Sequence, residues 1–149
     1  MVDSFKQIAI GCDHAGYSIK EYLKQNLAKP GFTFHDFGTF SAISMDYPDT
    51  AHPLAKAVQS GEYTVGILIC GSGNGVAIVA NKYTGIRAAI CWNEEITRLA
   101  RLHNDANIIV LPARFITPEE AIHLVQVFLS TGFEGGRHQL RVDKIDNVL

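Results

Sequence analysis

The sequence lacks the features that would place the chain in a membrane or in an oxidising compartment. No apolar run approaches the roughly 20 residues that a spanning helix needs, and residues 1–10 have neither the charged start nor the long apolar stretch of a signal peptide. Cysteine is scarce: Cys12, Cys70 and Cys91 are widely spaced, odd in number and without a C-x-x-C pair. These absences predict a cytoplasmic protein with reduced thiols.

An excess of charge of either sign is also missing. The chain has 13 basic and 15 acidic side chains, a formal net charge of −2 and a pI near 6.3. Proteins that bind nucleic acid or anionic membranes usually show a basic excess, so neither partner is expected, whereas small neutral or anionic ligands stay open. A length of 149 residues with 47% hydrophobic and 19% charged residues predicts one soluble domain over residues 1–149 and excludes disorder, collagen and coiled coil.

Short apolar runs alternate along the chain with segments of helical spacing. The runs are rich in β-branched or aromatic residues, and most are typical of strands buried on both faces; they are Gln7–Gly11, Phe32–Phe37, Val65–Cys70, Ile86–Cys91 and Asn107–Leu111. The helical segments are Tyr17–Ala28, Pro48–Ser60, Gly75–Tyr83, Glu94–Leu102 and Pro118–Thr131. This alternation predicts an α/β fold, a three-layer α/β/α sandwich with a Rossmann-like parallel sheet of about five strands.

Residues 132–149 form a polar tail after the last predicted helix. Gly135-Gly136 opens it, and if a helix begins there, Arg137 and Arg141 lie at i and i+4 on one face. Two guanidinium groups so placed can grip one phosphate, although a solvated basic turn is the alternative. We expect such a tail to pack on a neighbour or to form part of a site.

In open parallel sheets ligands bind outside the carboxyl ends of the strands. Here the residues that follow the predicted strands include side chains suited to catalysis or ligand binding. Cys70-Gly71-Ser72-Gly73-Asn74-Gly75 joins a strand to a helix, and its alternate glycines let backbone amides converge on an anion. The alternative is a tight turn with glycines for steric reasons. The spacing G-x-G-x-G misses the dinucleotide fingerprint, and no Lys-Ser/Thr follows, so neither a nicotinamide cofactor nor ATP is expected.

Cys70 lies at the mouth of this loop. A helix dipole and amide donors favour its thiolate and predict a pKa below the ordinary value of roughly 8.5, which makes it a candidate base or nucleophile; an inert buried cysteine is the alternative. A thiol phosphatase is excluded, because the arginine it needs six residues later is Val76 here. Cys12 and Cys91 are expected to pack in or beside the sheet.

Asp13 and His14 follow the first strand and offer proton transfer near neutral pH. The alternative is a helix cap with a solvated histidine. A zinc site on Cys12, His14 and His103 is a further alternative, although these residues lack ligand-pair spacing.

Several motifs occur together and in order: Gly11-Cys12-Asp13-His14-Ala15-Gly16, Asp46-Tyr47-Pro48, Cys70–Gly75, Ala80-Asn81-Lys82, Gly85-Ile86-Arg87-Ala88, His103–Asn107 and Gly135-Gly136-Arg137-His138. With them the chain resembles type B ribose-5-phosphate isomerases over nearly its whole length. The wider family also contains isomerases of galactose 6-phosphate and allose 6-phosphate. Some members carry a glutamate a few residues after the cysteine, where this chain has Gly75 and Val76, so it resembles the branch that uses cysteine.

The resemblance implies an aldose–ketose isomerase acting on ribose 5-phosphate and ribulose 5-phosphate through a cis-enediolate. Cys70 would be the base that moves a proton between C2 and C1, and His103 assisted by Asp13 would open the furanose ring. Ser72 would hydrogen-bond or relay a proton to a hydroxyl, and the enediolate oxygens would be held by Asn104 and the amides of Gly71, Gly73, Asn74 and Gly75.

The same resemblance implies a phosphate clamp of His14, Arg114, Arg137 and Arg141, with His138 beside it and with Asp46 and Tyr47 lining the sugar. Family enzymes build this site across a dimer, so that His103, Asn104 and the tail arginines face the partner's Cys70. The resemblance thus implies a homodimer or a tetramer with active sites at the dimer interface. No metal or organic cofactor is implied. A hexose 6-phosphate isomerase and a non-catalytic sugar-phosphate-binding module are the alternatives.

Overall fold

The computed structural model describes residues 7–28 and 33–148, which form a parallel sheet between two layers of helices. The strands are β1 Gln7–Cys12, β2 Thr33–Asp36, β3 Gly66–Cys70, β4 Ala88–Ile90 and β5 Ile108–Pro112. A short 3-10 helix, His14–Gly16, precedes the α-helices, which are α1 Tyr17–Leu27, α2 Pro48–Gln59, α3 Asn74–Ala80, α4 Glu94–Asn104, α5 Pro118–Ser130 and α6 Arg137–Asp143. The predicted three-layer α/β fold is confirmed; Phe32, the predicted start of the second strand, lies outside the described residues.

The strand order places a crevice in the middle of the sheet. The order is β2-β1-β3-β5-β4, and every neighbouring pair is parallel. From β2 the chain passes over β1 to reach β3, so the direction of winding reverses between β1 and β3. Ligands of open α/β sheets bind at such a reversal, outside the carboxyl ends of the two strands.

Alternate side chains of the central strands pack on opposite helix layers. In β3, Ile67 and Ile69 join the core formed with α1, α4 and α5, whereas Leu68 and Cys70 join the core formed with α2 and α3. Because side chains alternate across a strand, Cys70 at the end of β3 points toward α2 and α3. Because each face of β3 packs on its own helix layer, the Cys70 thiol is held on the side of α2 and α3.

The edge strands differ from the prediction. β4 has three residues where the sequence predicted Ile86–Cys91, and the side chains of β2 alternate between exposed and half-buried. Each of these strands has a single neighbour in the sheet, so less of it is covered by helices. Continuous burial on both faces holds for β3 and β5 and for most of β1.

A buried cation holds the segment that follows β2. The side chain of Lys20 is fully buried, and its Nζ donates to Asp36 Oδ1 at 2.7 Å and to the Thr39 carbonyl oxygen at 2.6 Å. Lys24 Nζ binds the other oxygen of Asp36 at 2.7 Å. Burial raises the pKa of the Asp36 carboxyl, but the hydrogen bonds from Lys20 and Lys24 outweigh it, so the pKa lies below its ordinary value. The start of the segment between β2 and α2 is therefore anchored to α1.

The start of α5 is capped by residues next to it in sequence. Thr117 Oγ1 accepts from the Glu120 backbone N–H at 3.1 Å, and Glu120 Oε2 accepts from the Thr117 N–H at 2.7 Å, which is a capping box before Pro118. The tail contributes α6, as the spacing of Arg137 and Arg141 allowed.

Among the helices described, none is both long enough and apolar enough to cross a membrane.

Candidate active site

Cys70 and Asp13 meet at the crevice between β1 and β3. Cys70 Sγ lies 3.3 Å from Asp13 Oδ2, and both residues are buried, with 8% and 7% of their surface exposed. Asp13 Oδ1 accepts from the Gly16 N–H at 3.1 Å, which caps the short 3-10 helix and fixes the carboxylate. Each residue directly ends or follows one of the two strands, so the topology itself brings the thiol and the carboxylate together.

The glycine-rich loop wraps around the sulfur of Cys70. The backbone N–H groups of Gly71 and Gly73 donate hydrogen bonds to it. Gly73 has φ +80°, and a Cβ there would lie 2.9 Å from Val110 Cγ1, so both the turn and the close approach require glycine. Ser72 Oγ accepts from the Asn74 N–H at 3.3 Å and is itself exposed. The loop therefore presents amide donors and a hydroxyl at the mouth of the crevice.

The predicted lowering of the Cys70 pKa is wrong for the chain without ligand. Burial raises the pKa of the thiol, and the negative charge of Asp13 and the hydrogen bond to it raise it further. The amides of Gly73 and Gly71 lower it by less. The helix dipole and the amides favour the thiolate, but burial and an acidic neighbour that follows another strand outweigh them.

Three further predicted residues lie at the same edge of the sheet. The Arg114 N–H donates to the Gly71 carbonyl oxygen at 3.0 Å, and a Cβ on Gly71 would lie 3.1 Å from Arg114 Cζ, so the guanidinium packs against the loop. The ring of Tyr47 covers Gly75, where a Cβ would lie 2.6 Å from Tyr47 Cζ. His14 Nδ1 accepts from the backbone N–H of Met45 at 3.2 Å, which ties the segment before α2 to the same edge of the sheet.

Five other predicted residues lie at the opposite edge of the sheet. α4 returns the chain to the start of β5, so His103 and Asn104 at its end lie beside the amino ends of the strands. The contact of Arg87 Nε with the Asn104 carbonyl oxygen, at 3.0 Å, confirms this placement, because Arg87 comes just before β4. β3 has five residues, and at about 3.3 Å per residue the two edges are roughly 15 Å apart.

The predicted site residues thus form two groups within one chain. The group at the carboxyl edge, called here the thiol half-site, contains Asp13, His14, Asp46, Tyr47, Cys70, Gly71, Ser72, Gly73, Asn74, Gly75 and Arg114. The group at the amino edge, called here the histidine half-site, contains His103, Asn104, Arg137, His138 and Arg141. The pairing of His103 with Asp13 does not occur within the chain.

The histidine half-site is built on two stacked imidazoles. The rings of His103 and His138 have centroids 4.1 Å apart and planes inclined by 12°. Burial lowers the pKa of His138, and the neighbouring His103 and Arg137 lower it further. Glu134 Oε2 lies 4.0 Å from His103 Nε2 and 3.9 Å from His138 Nε2. Glu134 was missed in the sequence, because it lies in the connection before α6 and shares no helical spacing with His138.

A cavity of about 350 Å³ adjoins the thiol half-site and is lined by Ser72, Asn74, Ile90, Trp92, Pro112 and Phe115. Trp92 is 53% exposed and Phe115 is 73% exposed. Sequence reasoning missed both aromatic residues, because each lies in a connection beyond a strand and has no helical or strand periodicity. The thiol half-site therefore opens on an apolar surface.

The other two thiols take no part in either group. Cys12 and Cys91 are fully buried, as predicted, and burial raises the pKa of Cys12 to about 12 and that of Cys91 to about 11. A zinc site on Cys12, His14 and His103 is ruled out within one chain, because His103 lies at the opposite edge of the sheet.

The site combines a thiol and a carboxylate under an amide-lined loop, at the reversal point of a doubly wound sheet. These features define an α/β protein that binds an anionic ligand and moves a proton. The sequence profile of the Ribose/Galactose Isomerase family matches residues 8–145. The chain belongs to that family.

Individual relatives agree in sequence and in structure. Ribose-5-phosphate isomerase B of Escherichia coli is 44% identical over 143 residues, which cover 96% of each chain. A crystal structure of a ribose 5-phosphate isomerase from Thermotoga maritima is 50% identical, with a TM-score of 0.92 over 95% of this chain and 98% of that one. The Mycoplasma genitalium ribose-5-phosphate isomerase B, solved with bound ribulose 5-phosphate, is 41% identical, with a TM-score of 0.89 over 95% of this chain and 94% of that one.

Proposed function

We infer that this protein is an aldose–ketose isomerase that interconverts ribose 5-phosphate and ribulose 5-phosphate. The observation that carries this inference is the pairing of Cys70 with Asp13 beneath the glycine-rich loop, in a chain that matches a relative solved with bound ribulose 5-phosphate over 95% of its length. The sequence also predicts a cytoplasmic location for it.

Cys70 is the proposed base. In the open-chain aldose it removes the proton from C2, the electron pair of that bond forms the C1–C2 double bond, and the carbonyl pair of C1 moves onto O1 to give the enediolate. The proton then returns from Cys70 to C1, C2 becomes the carbonyl carbon of the ketose, and the hydroxyl proton of O2 passes to O1. The thiol is protonated in the free chain, so substrate binding has to release it, and Asp13 at 3.3 Å is the adjacent acceptor for its proton. The amides of Gly71 and Gly73 then stabilise the thiolate.

The same loop supplies the donors for the charge that develops on the sugar. Amides from Gly71 to Gly75, together with Asn104, hold the enediolate oxygens, and the exposed hydroxyl of Ser72 bonds a sugar hydroxyl. Such preorganised donors stabilise the transition state more than the substrate. Asp46 and Tyr47 line the sugar at the start of α2.

The separation of the two half-sites supports a homodimer. Ring opening needs His103 near Asp13, and one chain holds them at opposite edges of the sheet, so His103 of the partner subunit completes the site. Arg137 and Arg141 of the partner subunit join His14 and Arg114 on the phosphate, which gives residues 132–149 a role within the single domain 1–149. The exposed Trp92 and Phe115 beside the thiol half-site fit a surface that a second subunit covers.

An isomerase assay tests the proposal. The purified protein is incubated with ribose 5-phosphate in the presence of EDTA, with allose 6-phosphate and galactose 6-phosphate in parallel. We expect fast pentose turnover that the chelator does not reduce. Turnover confined to a hexose phosphate would replace the substrate and keep the chemistry, and silence on all three sugars would favour a sugar-phosphate-binding module.

A further inference from the structure

Three metal-binding side chains converge at the histidine half-site. One donor atom each from His103, Glu134 and His138 lie within 4.8 Å of one another. The His138 side chain is 8% exposed, and its Nε2 is buried with no hydrogen-bond partner in residues 7–28 and 33–148. A buried imidazole nitrogen without a hydrogen-bond partner keeps its capacity to bind a further group at this cluster.

The donor set suits a borderline transition metal. Two imidazoles and one carboxylate are a familiar ligand set for Zn²⁺, whose fourth position then stays open to water. A tetrahedral Zn²⁺ holds its ligand atoms about 3.4 Å apart, so the three side chains have to close by roughly 1 Å. His103 and Glu134 can do so, because their side chains are 37% and 53% exposed, whereas the His138 side chain is 8% exposed.

Two features set the character of the site. The two rings lie nearly parallel with centroids 4.1 Å apart, so His103 has to tilt away from His138 to bring one ion into the plane of both rings. The cationic Arg137 and Arg141 flank His138 and oppose a second positive charge. Both features lower the affinity for the metal, so we expect the site to be occupied only when the metal concentration is high.

We propose that His103, Glu134 and His138 bind one divalent transition-metal ion per chain, and that the bound ion inhibits ring opening by occupying His103. The inhibition rests on the role proposed for His103, whereas the binding site does not. The ion is therefore an inhibitor and takes no part in the isomerisation.

Zn²⁺ titration tests the binding site without reference to activity. The EDTA-treated and desalted full-length protein competes for Zn²⁺ with a chromophoric chelator, and Co²⁺ absorbance reports the coordination. We expect one ion per chain, with affinity at least about tenfold weaker in Glu134→Gln. His123→Ala is the matched control, because His123 forms an exposed pair with Glu94 at 2.7 Å and should not alter the affinity.

The variants and the activity assay distinguish failure of the metal site from failure of the inhibition. Thermal melts establish that Glu134→Gln is folded. Absence of stoichiometric Zn²⁺ uptake, or equal affinity in Glu134→Gln and wild type, overturns the site. Binding without loss of pentose turnover overturns the inhibition, and EDTA should restore the turnover that Zn²⁺ removes. If the chain turned over no sugar phosphate, the titration would still decide the metal site.

Discussion

The Cys70 thiol donates a hydrogen bond to a carboxylate oxygen of Asp13, with 3.3 Å between Sγ and Oδ2. Reactive cysteines usually lie next to a cation, which favours the thiolate. Here the neighbour is an anion, so the free chain keeps its proposed base in the neutral, protonated form. A neutral thiol is also less open to oxidation, so the arrangement protects the group until substrate arrives.

Removing the charge of Asp13 should activate the thiol. Because Asp13 raises the pKa of Cys70, we expect Asp13→Asn to lower that pKa and to speed alkylation by iodoacetamide at pH 7. Mass spectrometry of the Cys70 peptide across a pH series measures the change. Cys12 and Cys91 are internal references, since both are fully buried with a raised pKa. An unchanged or slower alkylation profile would contradict the electrostatic argument.

Replacing the base should remove turnover but spare binding. We expect Cys70→Ala to lower kcat for ribose 5-phosphate by about 10²–10⁴-fold, the usual contribution of a general base, while KM changes by a few-fold. Steady-state kinetics measures both constants. Cys91→Ala is the control, because Cys91 is buried away from the crevice, and its kcat should stay near that of wild type. A Cys70→Ala enzyme with nearly normal kcat would exclude Cys70 as the base.

Gly16 should tolerate no side chain. A Cβ there would lie 2.6 Å from the Ile69 carbonyl oxygen and 2.9 Å from its carbonyl carbon, both in the backbone of β3. We expect Gly16→Ala to lower the free energy of unfolding by about 1–3 kcal/mol, the usual cost of overpacking. Urea unfolding measures this against Gly132→Ala, where nothing described lies within 4 Å of the new atom. Equal stability of the two variants would mean that the 3-10 helix shifts freely.

The fold was predictable from local patterns, whereas the electrostatics of the site was not. Apolar runs and helical spacing depend on neighbours in sequence, and the structure confirms the alternation of strands and helices that they predicted. The pKa of Cys70 depends on Asp13, which is 57 residues away in sequence and enters through the pairing of β1 with β3. The sequence placed both residues at strand ends but carried no measure of the distance between them.

The histidine half-site was also predictable only in part from the sequence. The position of His103 at the end of a returning helix was available from the order of elements. The stacking of His103 on His138 was not, because it depends on how α6 folds back on α4.

The ion pair between Lys20 and Asp36 should make stability depend on pH in the acid range. The pKa of the folded Asp36 carboxyl is depressed, so its contribution is complete above the unfolded value of about 3.9 and is lost as the pH falls through the folded value. We expect Asp36→Asn to be less stable than wild type at pH 7, with a gap that narrows below about pH 4. Urea unfolding at several pH values measures the gap. A gap independent of pH down to 2 would show that the charge of Asp36 does not stabilise the fold.

Two inactive variants should restore each other if the site is shared between subunits. Cys70→Ala damages the thiol half-site and His103→Ala damages the histidine half-site, so each homodimer has two defective sites. In a mixed dimer one site collects both defects, and the other combines an intact Cys70 with an intact His103. Random pairing of equal amounts makes half of the dimers mixed, so we expect about a quarter of wild-type activity after the two are refolded together. Native mass spectrometry establishes that mixed dimers form. Mixed dimers without activity would mean that each chain must complete its own site, which the roughly 15 Å between the edges of the sheet argues against.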